Sequence, residues 1–170
     1  MNLTHHLLVL NYSSLCLRRN FTYAKAYLRI ILTIVVANQI FVNLPVRNLK
    51  KTREFFSKLG FTFNPKFSDE NAACMILSDD AYAMLLVESF FKTFTKKPIS
   101  DAKKSTEVMI ALSVGSRNEV DEMMNKALKA GGREARAPED HGWMYGRAFE
   151  DIDGHIWEVG HMDESQMPSG

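Results

Sequence analysis

The chain has 170 residues, 46% of them hydrophobic and 24% charged, with nine Gly and five Pro; that length suits one domain, or two small fused modules, with a real core. This composition excludes a disordered, collagenous or disulfide-stapled chain. The 21 Lys and Arg against 20 Asp and Glu leave a formal charge of +1, which gives no reason to expect nucleic acid as a partner. Cys16 and Cys74 are too few and too isolated for a disulfide framework or a Cys-type zinc site, and they fit a reduced, cytoplasmic setting.

The charge is unevenly spread. No acid precedes Glu54, and residues 1–36 hold Arg18, Arg19, Lys25 and Arg29. Without those four, 17 basic residues face 20 acids, so the remainder carries a formal −3. The apolar stretch Ile30–Ala37 comes late for a secretory signal and lacks a well-placed small-residue cleavage pattern. Ile30–Val42 is thirteen residues long with Thr33, Asn38 and Gln39 inside, against the roughly 20 that a membrane span needs, so no membrane partner is expected. An acid-free, arginine-bearing leader is compatible with an organelle transit peptide. The reading preferred here is an upstream extension, residues 1–36, outside the domain, from an over-long start near Val35–Val36.

From Gln39 onward the periodicities become readable. Ile40–Val46 is an apolar, β-branched run that predicts a buried strand. Asn48 is placed as an N-cap, Thr52, Phe55, Phe56 and Leu59 follow at helical spacing, and Gly60 closes the helix. Phe61–Phe67 reads as a strand, and Ala72–Leu77 and Ala81–Val87 read as a hairpin joined by Ser78-Asp79-Asp80. The order β-α-β-β-β then recurs. Thr106–Val114 predicts a strand, and Ser116 with Glu119 forms a capping box. Val120, Met123, Met124, Ala127 and Leu128 make a helical core stripe ended by Gly131-Gly132. Strands are expected at about 133–137, 143–149 and 155–161, with Asp151-Ile152-Asp153-Gly154 as a turn. Leu44-Pro45-Val46 matches Leu112-Ser113-Val114 at an offset of 68, and Gly60 matches Gly132 at 72. The fold expected is α+β: two tandem βαβββ modules whose curled mixed sheets enclose a pocket. Module one covers 39–88, a linker 89–104 and module two 105–162, within a domain of 37–164 followed by a tail at 165–170.

Two of these segments carry a resemblance. Val42–Gly60, with Val46-Arg-Asn-Leu49, Thr52, Phe55-Phe56 and Leu59-Gly60-Phe61, resembles the first strand and helix of the vicinal oxygen chelate superfamily. Asp151-Ile-Asp-Gly-His-Ile-Trp-Glu158 is similar to that family's D-P-D-G-N-x-x-E hairpin. The superfamily holds glyoxalase I, extradiol dioxygenases, fosfomycin-resistance enzymes and bleomycin-binding proteins. The resemblance implies a pocket for a small molecule, a homodimer, and a divalent metal that holds two substrate oxygens.

It also implies where metal ligands would stand: Phe41 and Met109 on the first strands, Leu86 and Glu158 on the last. Only Glu158 is a competent ligand, and slipping the register by one rescues nothing, because Ile40–Val46 and Met109–Val114 carry no His, Asp or Glu. Glu88 falls on the face of Leu86 and is the one substitute in reach. His155, Trp157 and His161 fall on the face opposite Glu158. No cofactor is therefore expected, a divalent metal at Glu158 being the alternative.

Glu158 is the catalytic candidate, as base or anchor. Phe41, Asn43, Leu86, Met109, Ser113, Tyr145 and Arg147 are the expected pocket residues. Trp143, Tyr145 and Arg147 share a strand face, which either lines a pocket for an anionic or aromatic ligand or is an outer face with Arg147 paired to an acid. His141 reads as a solvated loop histidine, and Asp151 and Asp153 as turn formers. Phe90, Phe91 and Phe94 in the linker are expected to pack over the pocket mouth or at a dimer contact. An apolar setting of Phe41, Leu86 and Met109 around Glu158 would leave its charge poorly solvated, so that Glu158→Gln would stabilise the fold.

The functional reading is a small-molecule protein of this superfamily with a degenerate metal site and no identified substrate. It would bind an apolar or aromatic ligand or run chemistry from Glu158 without a metal. The rivals are a metal-dependent lyase or dioxygenase with relocated ligands, and a bleomycin-type drug-binding resistance protein. Because residues 1–36 have no counterpart in the repeat, a chain starting at Ala37 should melt within a few degrees of the full one. A large drop in melting temperature would show that the extension packs on the domain.

Overall fold

Strand β1 (Ile40–Val46) buries Leu44 and Val46 on one face and leaves Phe41 and Asn43 exposed on the other. Helix α1 (Leu49–Leu59) follows after Asn48, whose side chain accepts from the Lys51 N–H. Its buried face is Leu49, Thr52, Phe55, Phe56 and Leu59, and Gly60 ends it in the left-handed conformation. The structure, a computed structural model, describes residues 37–168; the expectations for residues 1–36 lie outside them. The next strand, β2, is shorter than the sequence predicts. It covers only Phe63–Asn64, because Pro65 opens a 3-10 turn over Pro65–Phe67 capped by the Asn64 side chain. Strands β3 (Ala72–Ile76) and β4 (Ala81–Val87) complete a mixed sheet of order β1-β4-β3-β2, with β1 parallel to β4.

The second module repeats the plan. After a short helix α2 (Glu88–Phe91) and the linker come β5 (Met109–Ser113), α3 (Arg117–Ala130), β6 (Arg133–Asp140), β7 (Met144–Glu150) and β8 (Ile156–Met162). Their sheet has the order β5-β8-β7-β6, with β5 parallel to β8. The Ser116 side chain caps α3 through the Glu119 N–H, while the Glu119 carboxylate reaches back to the Gly115 N–H at 2.8 Å. The left-handed residue that ends α3 is Gly131, so Gly60 corresponds to Gly131 and not to Gly132 as the offset of 72 had it. Gly132 is needed for a different reason: a Cβ there would stand 2.8 Å from the Glu150 carbonyl oxygen.

The helix-facing sides of both sheets and the two long helices share one core. Phe56 meets Trp157 edge-on at 5.0 Å, and Phe55 lies 6.2 Å from Phe149, so aromatic contacts cross from module one to module two.

The turn between β7 and β8 makes the second junction. Asp151 accepts from the N–H groups of Asp153, Gly154 and His155 and from Trp157 Nε1. Asp153 accepts from the Arg47 N–H at 3.0 Å and from Thr52 Oγ1 at 2.6 Å, at the start of α1. His155 Nε2 donates to the Pro45 carbonyl at 2.8 Å. Gly154 has φ +105°, and a Cβ there would lie 2.7 Å from Lys103 Cγ and 2.8 Å from Lys103 N, so the linker is laid directly over this residue.

Gly154→Ala should therefore cost about 2 kcal/mol or more, strain and clash adding. Thr52→Val should cost about 1–3 kcal/mol by leaving buried Asp153 short of a donor. Urea melts measure both, and a midpoint unchanged in both variants would refute this junction.

Candidate functional site

The face of the module-two sheet turned away from the helices is set by strand alternation. On β8, Trp157 and Val159 are buried in the core, which leaves Ile156, Glu158, Gly160 and Met162 on the other side. Their cross-strand partners share that face: Ala148, Gly146 and Met144 on β7, Ala111 and Ser113 on β5. Strand β6 reaches the same face irregularly. Its register shifts between Glu134 and Arg136 and again between Arg136 and Glu139, where Pro138 removes a ladder donor. The shifts put Arg136 opposite Ala148 and Glu139 opposite Gly146. One rung thus reads Arg136, Ala148, Glu158, Ala111, and the next reads Glu139, Gly146, Gly160, Ser113. Apart from the fully buried Ala148, they line a trough of about 350 Å³, closed at one end by Met144 and Met162.

The polar centre of the trough is an ion pair. Arg136 Nη1 donates to Glu158 Oε1 across the sheet. Arg136 Nε also lies 3.0 Å from Glu139 Oε1, with the N–H turned off the oxygen. The hydrogen bond to Glu158 raises the Arg136 pKa, partial burial opposing it. The two side chains are half-buried, 37% exposed for Arg136 and 26% for Glu158.

The sequence-predicted residues divide. Met109 and Ser113 share the face of Glu158, Met109 one rung ahead, opposite Ile156, and 55% exposed. Phe41, Asn43 and Leu86 stand on the module-one sheet, opposite Tyr82, Met84 and Pro45. Phe41 stacks on the Tyr82 ring at 4.8 Å, and Leu86 is buried. Neither lines the trough, so the apolar surroundings expected for Glu158 are replaced by Arg136 and two alanines. Asn43 lines a separate cavity of about 210 Å³ with Phe91, Glu107 and His155.

Tyr145 and Arg147 require a correction. Both side chains lie on the helix side of β7, opposite His161 and Val159, and not on the face of Glu158. Tyr145 Oη donates to Asp121 at 2.8 Å, and Arg147, whose residue borders the trough, bonds Asp121 at 3.1 Å and Glu134 at 2.7 Å with its guanidinium. Burial pushes the Tyr145 hydroxyl pKa up, the bond to Asp121 adding to it. Glu88 forms a surface pair with Arg47, and His141 is exposed. The residues missed by the sequence reading are Arg136, Glu139, Gly146 and Gly160. Pro138 inside a strand was the available signal for Glu139, since it forces an irregularity and so a change of face; no such residue marks the earlier shift that brings Arg136 to this side.

Among the described residues, no three His, Cys, Asp or Glu side chains gather to hold a metal ion. The residues at the inherited positions do not fit one: Phe41, Leu86 and Met109 have no donor for a hard divalent ion, and the Glu158 carboxylate is bonded to Arg136.

The family model of the Glyoxalase/Bleomycin resistance protein/Dioxygenase superfamily matches residues 38–159. No curated protein matches the chain. A hypothetical protein from S. aureus is similar at 27% identity and a TM-score of 0.63, over 79% of this chain and 98% of its own. A glyoxalase-related enzyme from Fulvimarina pelagi shares the fold at 18% identity and a TM-score of 0.64, over 79% of this chain and 94% of its own. The fosfomycin resistance protein FosX from Mesorhizobium loti does so at 13% and 0.55, over 77% and 97%. With the paired βαβββ sheets and a family match across both of them, the chain belongs to the Glyoxalase/Bleomycin resistance protein/Dioxygenase superfamily.

Proposed function

We propose that this protein binds a small organic molecule in the trough of module two without help from a metal at the inherited positions, Glu158 acting as the anchor. The observation that carries this reading is the Arg136–Glu158 pair set among apolar walls in a cavity of about 350 Å³. A concave, mostly apolar site with a few converging polar groups is the usual form of a small-molecule site. An ion-paired carboxylate accepts a donor from a ligand well but is a weak general base. The drug-binding reading draws on the surplus of one acid in the trough, Glu158 and Glu139 against Arg136.

A homodimer belongs to the same proposal. Strands β1 and β5 are both sheet edges, and Ile40 at 58% exposed, Phe41 at 44% and Met109 at 55% offer apolar surface there for a second copy to cover. No helix among the described residues is long and apolar enough to cross a membrane. Cys74 is a buried free thiol, which supports the cytoplasmic assignment.

The test is an NMR screen of small molecules that follows the methyl groups of Ala111, Met144 and Met162. Hits should move these signals and lose at least tenfold in affinity in Glu158→Gln. Hits that move only residues around Asn43 and Glu107 would overturn the assignment. With both partners only half-buried and open to solvent, Glu158→Gln or Arg136→Ala should change stability by no more than about 1 kcal/mol, in place of the gain expected from an apolar setting. Purified protein should also hold well under one equivalent of Zn, Fe, Mn or Ni. Stoichiometric metal lost in Glu158→Gln would restore the lyase or dioxygenase reading.

A further inference from the structure

We infer that the ligand of the trough is a flat aromatic cation laid on a floor of bare backbone at Gly146 and Gly160, with these two glycines setting the specificity. The inference rests on the reading that the trough binds a small molecule.

The two glycines are direct cross-strand partners, so the strip they leave is continuous over two strands. Neither is demanded by the backbone. Both lie outside the set of glycines with positive φ, which are Gly60, Gly131, Gly142 and Gly154. A Cβ on Gly146 would come no closer than 3.7 Å to the Val159 carbonyl, and one on Gly160 no closer than 3.8 Å to that of Tyr145. Those are ordinary contacts, so the fold has room for side chains at both positions. Glycine inside a strand weakens it, and it recurs where a ligand approaches the backbone closely. Side chains at 146 and 160 would fill the trough from below; without them its floor is flat.

The surroundings specify the rest of the ligand. Met144 and Met162 face each other across the strands at one end, and thioethers pack well against aromatic rings. At the other end Glu158 and Glu139 outnumber Arg136 by one charge. Arg147 does not redress this, because its guanidinium is bonded to Asp121 and Glu134 on the helix side. A flat ring fits the floor and a positive charge fits the acid surplus.

Three probes separate the elements of the proposal: proflavine, a flat cation; 9-anthracenecarboxylate, a flat anion; and tetraethylammonium, a cation without a flat face. Fluorescence titration and the Ala111, Met144 and Met162 methyl signals should show proflavine bound in the trough and the other two at least tenfold weaker. Gly146→Val and Gly160→Val should each weaken proflavine at least tenfold while melting at or above the wild-type temperature, because valine favours strands. Gly160→Ala should show the same trend with a smaller loss, and Glu139→Gln should weaken proflavine but not the anion. Equal proflavine affinity in wild type and both valine variants overturns the inference, as does proflavine that fails to bind. Valine variants that melt several degrees lower also overturn it, since the glycines would then serve the fold. Tetraethylammonium that binds as well as proflavine and depends on Glu158 but not on Gly160 removes the flat floor and leaves the trough reading intact. Absence of any methyl shift with the wider screen removes the trough itself.

Discussion

The carboxylate of Asp151 is 5% exposed and accepts from three backbone N–H groups and the Trp157 indole. Burial pushes its pKa above the usual carboxylate range, while His155 and the N–H donors pull the other way. A buried acid of this kind is tolerable only with every lone pair engaged, and engaging them dictates the path of residues 151–157. That path forces Gly154 into the left-handed region, turns Asp153 toward the Arg47 N–H and Thr52, and brings His155 to the Pro45 carbonyl. It also seats Trp157 against Phe56. Because side chains alternate along β8, a fixed Trp157 on the helix side fixes Glu158 on the other. The position of the candidate site therefore follows from a hydrogen-bonded turn several residues upstream of it.

Much of the fold was legible because its signals are local. Asn48, Ser116, Gly60 and Gly131 cap the helices where the sequence marks their ends. The apolar stripes of α1 and α3 are the faces that meet in the core. The shortened β2 was hidden in a run that alternates like a strand but contains Pro65, whose missing N–H favours the 3-10 turn.

The site was less legible, since it depends on pairing between strands distant in sequence. Alternation along β7 correctly grouped Tyr145 with Arg147, but the group could not be assigned to a sheet face until its partners His161 and Val159 were known. Arg136 was harder still. Strict alternation from Arg133 would place residue 135 on the trough side, and only the register shift between Glu134 and Arg136 brings Arg136 there instead. A one-residue irregularity is invisible to periodicity, yet it supplies the only cation bonded to Glu158 among the described residues.

That cation bears on how the Glu158 carboxylate is held in a chain whose positions 41, 86 and 109 carry no metal-ligating side chain. A half-buried carboxylate at Glu158 needs positive charge or several donors nearby, and a divalent ion would supply the charge where the resemblance holds in full. Here Arg136 supplies it from the edge strand β6 of the same sheet, with the Glu139 carboxylate beside it. A guanidinium neutralises the carboxylate but accepts no lone pairs, so it cannot polarise two substrate oxygens as a Lewis acid does. The cavity stays open because Ala111, Gly146 and Gly160 carry little or no side chain, and the ion pair stands at its end. The strand pairing that would aim a metal ligand in this superfamily aims, in this chain, a carboxylate already bonded to Arg136.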